Sequence, residues 1–145
     1  MGIKKEIIDR FKNVLKKENL KFTNQRFLVF SALLTNEGHF DCDDLIHIIN
    51  KNTKDGSNVS RATAYRTLDL LVKYDFARKM VLDDGVAKYE NKVLSKHHDH
   101  MIDIETDEII EFVNDDIERI QEEVAHSHGY KIVKHVHQLF VKKIK

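Results

Sequence analysis

The chain has 145 residues, with 24 Lys and Arg balanced by 24 Asp and Glu, nine His, one Cys, and neither Pro nor Trp. That length suits one domain of ordinary size or two small ones. The single Cys, Cys42, excludes an intramolecular disulfide framework and any metal site built from four cysteines of one chain. No stretch reaches the ~20 apolar residues of a membrane-spanning helix. Charges recur every few positions in residues 1–17, which leaves no signal-peptide core. A cytoplasmic location with no membrane partner is therefore expected.

The zero net charge conceals an asymmetry. Residues 1–80 carry 15 basic and 10 acidic side chains, residues 81–145 carry 9 and 14, and seven of the nine His follow residue 96. A mildly basic front and an acidic, His-rich back predict two modules with different partners.

The front half reads as helices. Ile3, Ile7, Ile8, Phe11, Val14 and Leu15 recur at helical spacing. Thr23 is placed to cap a second helix bearing Phe27, Leu28, Phe30, Ala32, Leu33 and Leu34, which Asn36-Glu37-Gly38 ends. Asp41 caps a third helix with Leu45, Ile46, Ile48 and Ile49 inward, and residues 52–58 read as a polar loop. Ser60 caps a fourth, SRATAYRTLDLLVKYD, with Leu68, Leu71 and Val72 inward. A hairpin follows, from Arg78–Leu82 through Asp83-Asp84-Gly85 to Val86–Glu90.

Helices followed by a two-strand hairpin are the order of a winged helix-turn-helix. In the first turns of the fourth helix, Arg61 and Arg66 can bind guanine edges or phosphate, and Thr63 and Tyr65 can contact phosphate or a thymine methyl. The alternative is a solvated, salt-bridged face. The position just before the hairpin favours DNA reading.

The densest chemistry is His97-His98-Asp99-His100. If the run enters a strand, His98 and His100 share one face and His97 and Asp99 the other. Two metal sites can then grow back to back from one segment. Imidazole with carboxylate suits Zn, Fe, Mn, Co or Ni. Further ligands must come from elsewhere, and Glu90, Glu111, Glu118, His135 and His39 are candidates. Beyond the run, strands at 101–104 and 109–112 precede a helix capped by Asn114 with Ile117, Ile120, Val124 and Ala125 in register. Gly129 ends that helix, and Tyr130–Val141 alternates as a long strand. This ββαβ module is too small to bury much surface alone, so a homodimer is expected.

Leu20-Lys21-Phe22-Thr23-Asn24-Gln25-Arg26, Ser60-Arg61-Ala62-Thr63-Ala64-Tyr65-Arg66-Thr67-Leu68, His97-His98-Asp99-His100 and Ile109-Ile110-Glu111-Phe112 together resemble the ferric uptake regulator (Fur) family over nearly the whole chain. The resemblance implies an α+β protein: a winged-helix DNA-binding domain over residues 1–91, a hinge at 92–97, and an α/β dimerisation and metal-binding domain over 98–145. It implies a repressor that binds double-stranded operator DNA as a dimer when loaded with a divalent metal. It places DNA contacts on Lys21, Thr23, Gln25, Arg26, Ser60, Arg61, Thr63, Tyr65 and Arg66.

It also places a sensory site on His39, Glu90, His98 and His100, with Glu111 as a candidate fifth ligand, and a second site on His97, Asp99, Glu118 and His135. Many members hold a structural zinc with two CxxC pairs. Asp103 and Thr106 occupy the first pair's place here, so that zinc is not expected. Glu111 favours Fe²⁺ sensing over peroxide sensing. Mn²⁺ remains an alternative, and Zn²⁺ is expected to occupy sites in a purified sample. No catalytic residue and no small-molecule substrate are expected. The readings of another class are a metal-dependent hydrolase and a metal buffer.

Overall fold

The computed structural model describes residues 2–53, 58–93 and 97–145. Parts of the expected loop at 52–58 and of the expected hinge at 92–97 lie outside the described residues. The chain divides into two compact units, Met1–Val81 with Gly85–Ser95, and Leu82–Asp84 with Lys96–Lys145. None of the described helices is long and apolar enough to cross a membrane.

The first unit holds α1 (Lys5–Lys17), α2 (Asn24–Leu34), α3 (Cys42–Asn52), α4 (Arg61–Lys73), β1 (Ala77–Val81) and β2 (Ala87–Asn91). Three helices start where the sequence supplies an oxygen for the unpaired first-turn amides. Thr23 accepts from the Arg26 amide, Ser60 from the Thr63 amide, and Asp41 forms a reciprocal capping box with Asp44. α1 and α4 end on Asn19 and Asp75 at positive φ. There Leu20 N–H donates to Leu15 O, and Phe76 N–H to Leu71 O. These are Schellman endings, which turn the chain sharply into the next segment.

The inward faces of these helices meet in one core. Phe11 and Phe30 stack at 4.1 Å, and Phe76 sets its edge against both, at 6.2 and 5.7 Å. Leu15, Leu33, Leu45, Leu68 and Leu71 close around them. Such ring pairs contribute about 0.5–1.5 kcal/mol each beyond area burial. Cys42 is 1% exposed within this core, and burial pushes its thiol pKa up.

The hairpin pairs β1 with β2 antiparallel, with Arg78 opposite Glu90. Each strand lies one residue from its expected start. A further bridge joins Phe40 to Tyr89, through Phe40 N–H to Tyr89 O at 2.9 Å and Tyr89 N–H to Phe40 O at 2.7 Å. It sets the α2–α3 connection alongside β2.

The second unit holds β3 (Asp99–Asp103), β4 (Ile109–Phe112), α5 (Asp115–Ser127) and β5 (Gln138–Val141). Its sheet has the order β4-β3-β5, with β4 antiparallel and β5 parallel to the central β3. α5 lies between β4 and β5 in the chain. Asn114 caps it, accepting from the Asp116 and Ile117 amides. Gly129, at φ +85°, ends it, with Tyr130 N–H donating to Ala125 O.

Two expectations need correction. The last strand is four residues rather than twelve, because only Gln138–Val141 finds β3 to pair with; alternation along 130–137 is not itself a strand. β3 starts at Asp99 rather than Met101 and stops at Asp103 rather than Ile104. On α5, Ile120 is 49% and Val124 54% exposed.

Truncating the aromatic core by Phe30→Ala should cost about 3–5 kcal/mol. Urea denaturation would measure it, and a loss below about 1 kcal/mol would contradict this account of the core. Acid stability has a definite sign. The Lys73 ammonium beside Glu18 holds that carboxyl below its usual range. The amides of Glu105 and Thr106 do the same for Asp103. Groups held low contribute stability present above their unfolded values and lost as pH falls through the folded ones. Stability should therefore decline below about pH 4, and decline less steeply in the double variant Glu18→Gln, Asp103→Asn.

Candidate metal centre

Four side chains of the second unit converge. His97 and Asp99 lie one pleat apart on the same side of the chain entering and forming β3, Glu118 lies on α5, and His135 lies in the segment between α5 and β5. His97 Nε2 is 3.0 Å from Glu118 Oε1 and 3.6 Å from Asp99 Oδ1. His135 Nε2 is 3.0 Å from Asp99 Oδ1 and 3.8 Å from Glu118 Oε1. One donor atom from each of the four lies within 4.8 Å of all the others. Ligands ~2.05 Å from an ion at tetrahedral angles stand about 3.3 Å apart, so the pairs at 3.0–3.8 Å match the span of a single ion.

Electrostatics favour the same occupant. Asp99 and Glu118 bring two formal negative charges to one point. Asp99 is 3% exposed, and its Oδ2 is buried with no hydrogen-bond partner among the described residues. Burying a carboxylate with an oxygen unpaired is costly, and a divalent cation held against the Asp99 carboxylate offsets that cost. Two imidazoles with two carboxylates suit Zn²⁺, Fe²⁺ or Mn²⁺, so the residues present fit a metal.

The residues of the expected sensory set divide between the units. In the first unit the Phe40–Tyr89 bridge puts His39 next to Glu90, with His39 Nε2 3.0 Å from Glu90 Oε2. Arg78, opposite Glu90 across the hairpin, reaches the other oxygen at 3.3 Å. In the second unit His98 Nε2 is 3.4 Å from Glu111 Oε1, and the His98 and His100 rings meet edge to face at 4.8 Å. His100 and Glu111 are Cα partners in the β3–β4 ladder.

The expected DNA-contact residues are of two kinds. Ser60, Arg61, Tyr65 and Arg66 are exposed, and Thr63 is half-buried beneath them. Arg61 meets Asp43 at 3.6 Å with both side chains largely in solvent, a pair of little energetic weight. In the other group only Lys21 is exposed; Thr23, Gln25 and Arg26 are half-buried. Thr23 spends its hydroxyl on capping α2, and the Arg26 guanidinium donates to Lys21 O at 2.6 Å. That motif therefore holds the α1–α2 connection in shape.

At the place of the expected absent cysteine pair, Asp103 Oδ1 accepts from the amides of Glu105 and Thr106 at 2.9 and 3.3 Å. A carboxylate closes the β3–β4 turn. Sequence reasoning passed over Arg78 and Gln121, both in contact with candidate ligands. Gln121 was findable, since it sits three residues after Glu118 on one helix. The cross-strand position of Arg78 requires the hairpin register.

A ligand that binds only the folded chain stabilises it by RT ln(1 + [L]/Kd), about 2.7 kcal/mol at a hundredfold excess over Kd. Zn²⁺ or Mn²⁺ should accordingly raise the melting temperature, and a chelator should reverse the rise. The part of the rise due to the four converging donors should be lost in Asp99→Ala. An unchanged melting shift in that variant would exclude this cluster as a metal site.

The comparisons with known proteins agree with one another. The family described as "Ferric uptake regulator family" matches residues 17–140. The ferric uptake regulation protein of Campylobacter upsaliensis is 38% identical over 136 residues, covering 92% of this chain and 85% of that protein. The ferric uptake regulator of Pseudomonas aeruginosa, solved with manganese, superposes with a TM-score of 0.77 at 30% identity, covering 92% of this chain and 98% of that one. That of Helicobacter pylori, described as having three functional metal binding sites, superposes with a TM-score of 0.79 at 29% identity, covering 99% and 94%. With its winged-helix unit and its α/β unit, this chain belongs to the ferric uptake regulator family of metal-responsive transcriptional regulators and is not an enzyme.

Proposed function

We propose that the protein is a cytoplasmic repressor that binds operator DNA as a homodimer when loaded with a divalent metal, Fe²⁺ in the first place. The observation that carries the reading is the sorting of ligand-type side chains by strand alternation. His97 and Asp99 join Glu118 and His135 in one tight cluster, which leaves His98 and His100 with Glu111 as a separate half-set. The unit bearing the recognition helix carries its own half-set, His39 and Glu90.

A bound ion would supply one Lewis-acidic centre shared by both half-sets. His39 and Glu90 would then be held to the same point as His98, His100 and Glu111. That narrows the range of orientations the DNA-binding unit samples relative to its dimerisation unit. Ser60 caps α4 so that its first turns present Arg61, Tyr65 and Arg66 outward, the position from which a recognition helix reaches base edges and phosphates. The exposed Arg61–Asp43 pair exchanges for a phosphate contact at small cost.

Mn²⁺ is the second reading, supported by the manganese-bound Pseudomonas aeruginosa relative at 30% identity. Glu111, a carboxylate with the reach to approach His98 at 3.4 Å, favours iron sensing over peroxide sensing.

The test is fluorescence anisotropy of a labelled operator duplex, with Fe²⁺ under anaerobic conditions, with Mn²⁺, and with chelator. Metal should tighten binding by roughly 5- to 150-fold, and the double variant His98→Ala, His100→Ala should lose that gain. Full metal-dependent affinity in the double variant would defeat the linkage. Stoichiometric metal uptake with no operator affinity would make the protein a buffer instead. Arg61→Ala and Arg66→Ala should each weaken binding with metal present, and Arg66→Ala should lower the salt dependence by about one phosphate contact if its partner is a phosphate.

A further inference from the structure

Behind the four converging donors, one carboxamide touches two of them. Gln121, half-buried on α5 one turn beyond Glu118, places its Nε2 3.0 Å from Glu118 Oε2 and 3.0 Å from His135 Nδ1. Both atoms are the ones turned away from the cluster. Glu118 faces the other donors with Oε1, and His135 faces them with Nε2. The amide thus ties down the far oxygen of Glu118 and lies against the far edge of the His135 ring.

The consequence concerns Glu118. A carboxylate whose second oxygen is already accepting a hydrogen bond is held to one-oxygen coordination. Released, it can swing and chelate through both oxygens, as carboxylates on larger ions do. Partners that hydrogen-bond a ligating carboxylate also govern affinity, their loss typically costing about 10- to 100-fold. The Gln121 amide nitrogen can only donate, so its hydrogen bond in the metal-loaded site is the one to Glu118 Oε2, because His135 Nδ1 carries the ring proton when Nε2 ligates.

We propose that Gln121 is a positioning residue that keeps Glu118 a one-oxygen ligand and so biases the His97, Asp99, Glu118 and His135 site toward Zn²⁺ over Mn²⁺ and Fe²⁺. Zn²⁺ prefers four ligands. Mn²⁺ accepts more oxygens and is bound less tightly by a given set of donors. Asp99 Oδ2 is the one carboxylate oxygen in the set with no hydrogen-bond partner among the described residues. Gln121 therefore decides whether the site can offer one spare oxygen or two.

The inference rests on the reading of these four residues as a metal site, so the experiment separates the two. Full-length protein carrying His98→Ala and His100→Ala, to silence the other ligand set, is titrated with Zn²⁺, Mn²⁺ and Co²⁺. It is compared with the same protein bearing Gln121→Ala, Gln121→Leu or His135→Ala. Failure of the parent to bind metal, or binding unaffected by His135→Ala, overturns the site itself. With the site present, both Gln121 variants should lose about tenfold or more in Zn²⁺ affinity. They should lose less for Mn²⁺, so that the Zn²⁺ to Mn²⁺ preference narrows. The visible Co²⁺ bands, intense in four-coordinate and weak in higher-coordinate complexes, should fade. Gln121→Leu fills the same space, so melting of the metal-free protein within ~2 °C of the parent's excludes a packing defect. An unchanged Zn²⁺ to Mn²⁺ preference with unchanged Co²⁺ bands overturns the proposal, even where both affinities fall together.

Discussion

Alternation along residues 97–100 is the constraint on which the rest of the second unit depends. Successive side chains of an extended segment point to opposite sides, so one short run can serve two candidate ligand sets without either competing for the other's donors. The alternation holds because β3 is the central strand, gripped by β4 on one edge and β5 on the other. A slip of one residue would exchange the two sets and bring His98 and His100 among Glu118 and His135. The parallel β5 has a particular part in this. Pairing with β3 at His100↔Gln138 fixes the end of the segment that delivers His135 to Asp99.

The first unit solves a different problem with different means. Its helices must hold α4 firmly while leaving its first turns bare. Phe11, Phe30 and Phe76 anchor the middle of the bundle, and Leu68 and Leu71 fasten the later turns of α4 to it. The same core positions a metal-type pair at its edge. The bridge between Phe40 and Tyr89 is made by backbone groups, yet its effect is to bring His39 to Glu90. Glu90 then sits between an imidazole on one oxygen and a guanidinium on the other. That arrangement orients a carboxylate at 3% exposure, where a lone charge would be costly.

The fold was largely legible because local rules and tertiary packing agree. Thr23, Asp41, Ser60 and Asn114 each offer a capping oxygen at the start of an amphipathic run, and each caps a helix in the structure. The long last strand was misjudged for a physical reason. Period-two alternation states which way side chains point, whereas a strand also needs a neighbour to bond with, and only residues 138–141 have one. The apolar stripe of α5 was legible, but its exposure was not, since burial depends on what is packed against it. The Leu20–Arg26 motif was read for DNA contact. Thr23 and Arg26 are committed to backbone groups of their own loop, a use invisible in residue types alone.

Read alone, the chain supplied the candidate ligand types, the division into a basic front and an acidic back, and the sorting of His97 with Asp99 and of His98 with His100. Residue type, charge count and a backbone period are all local quantities, and one chain contains them in full. The tertiary structure decided how near Glu118 and His135 come to that run, which oxygen of Glu118 faces the cluster, and that Gln121 and Arg78 stand behind the candidate ligands. Those facts rest on a helix, a loop and a strand meeting within the second unit and on the register of the hairpin in the first, across as many as 36 residues of chain, and no local period spans such a distance.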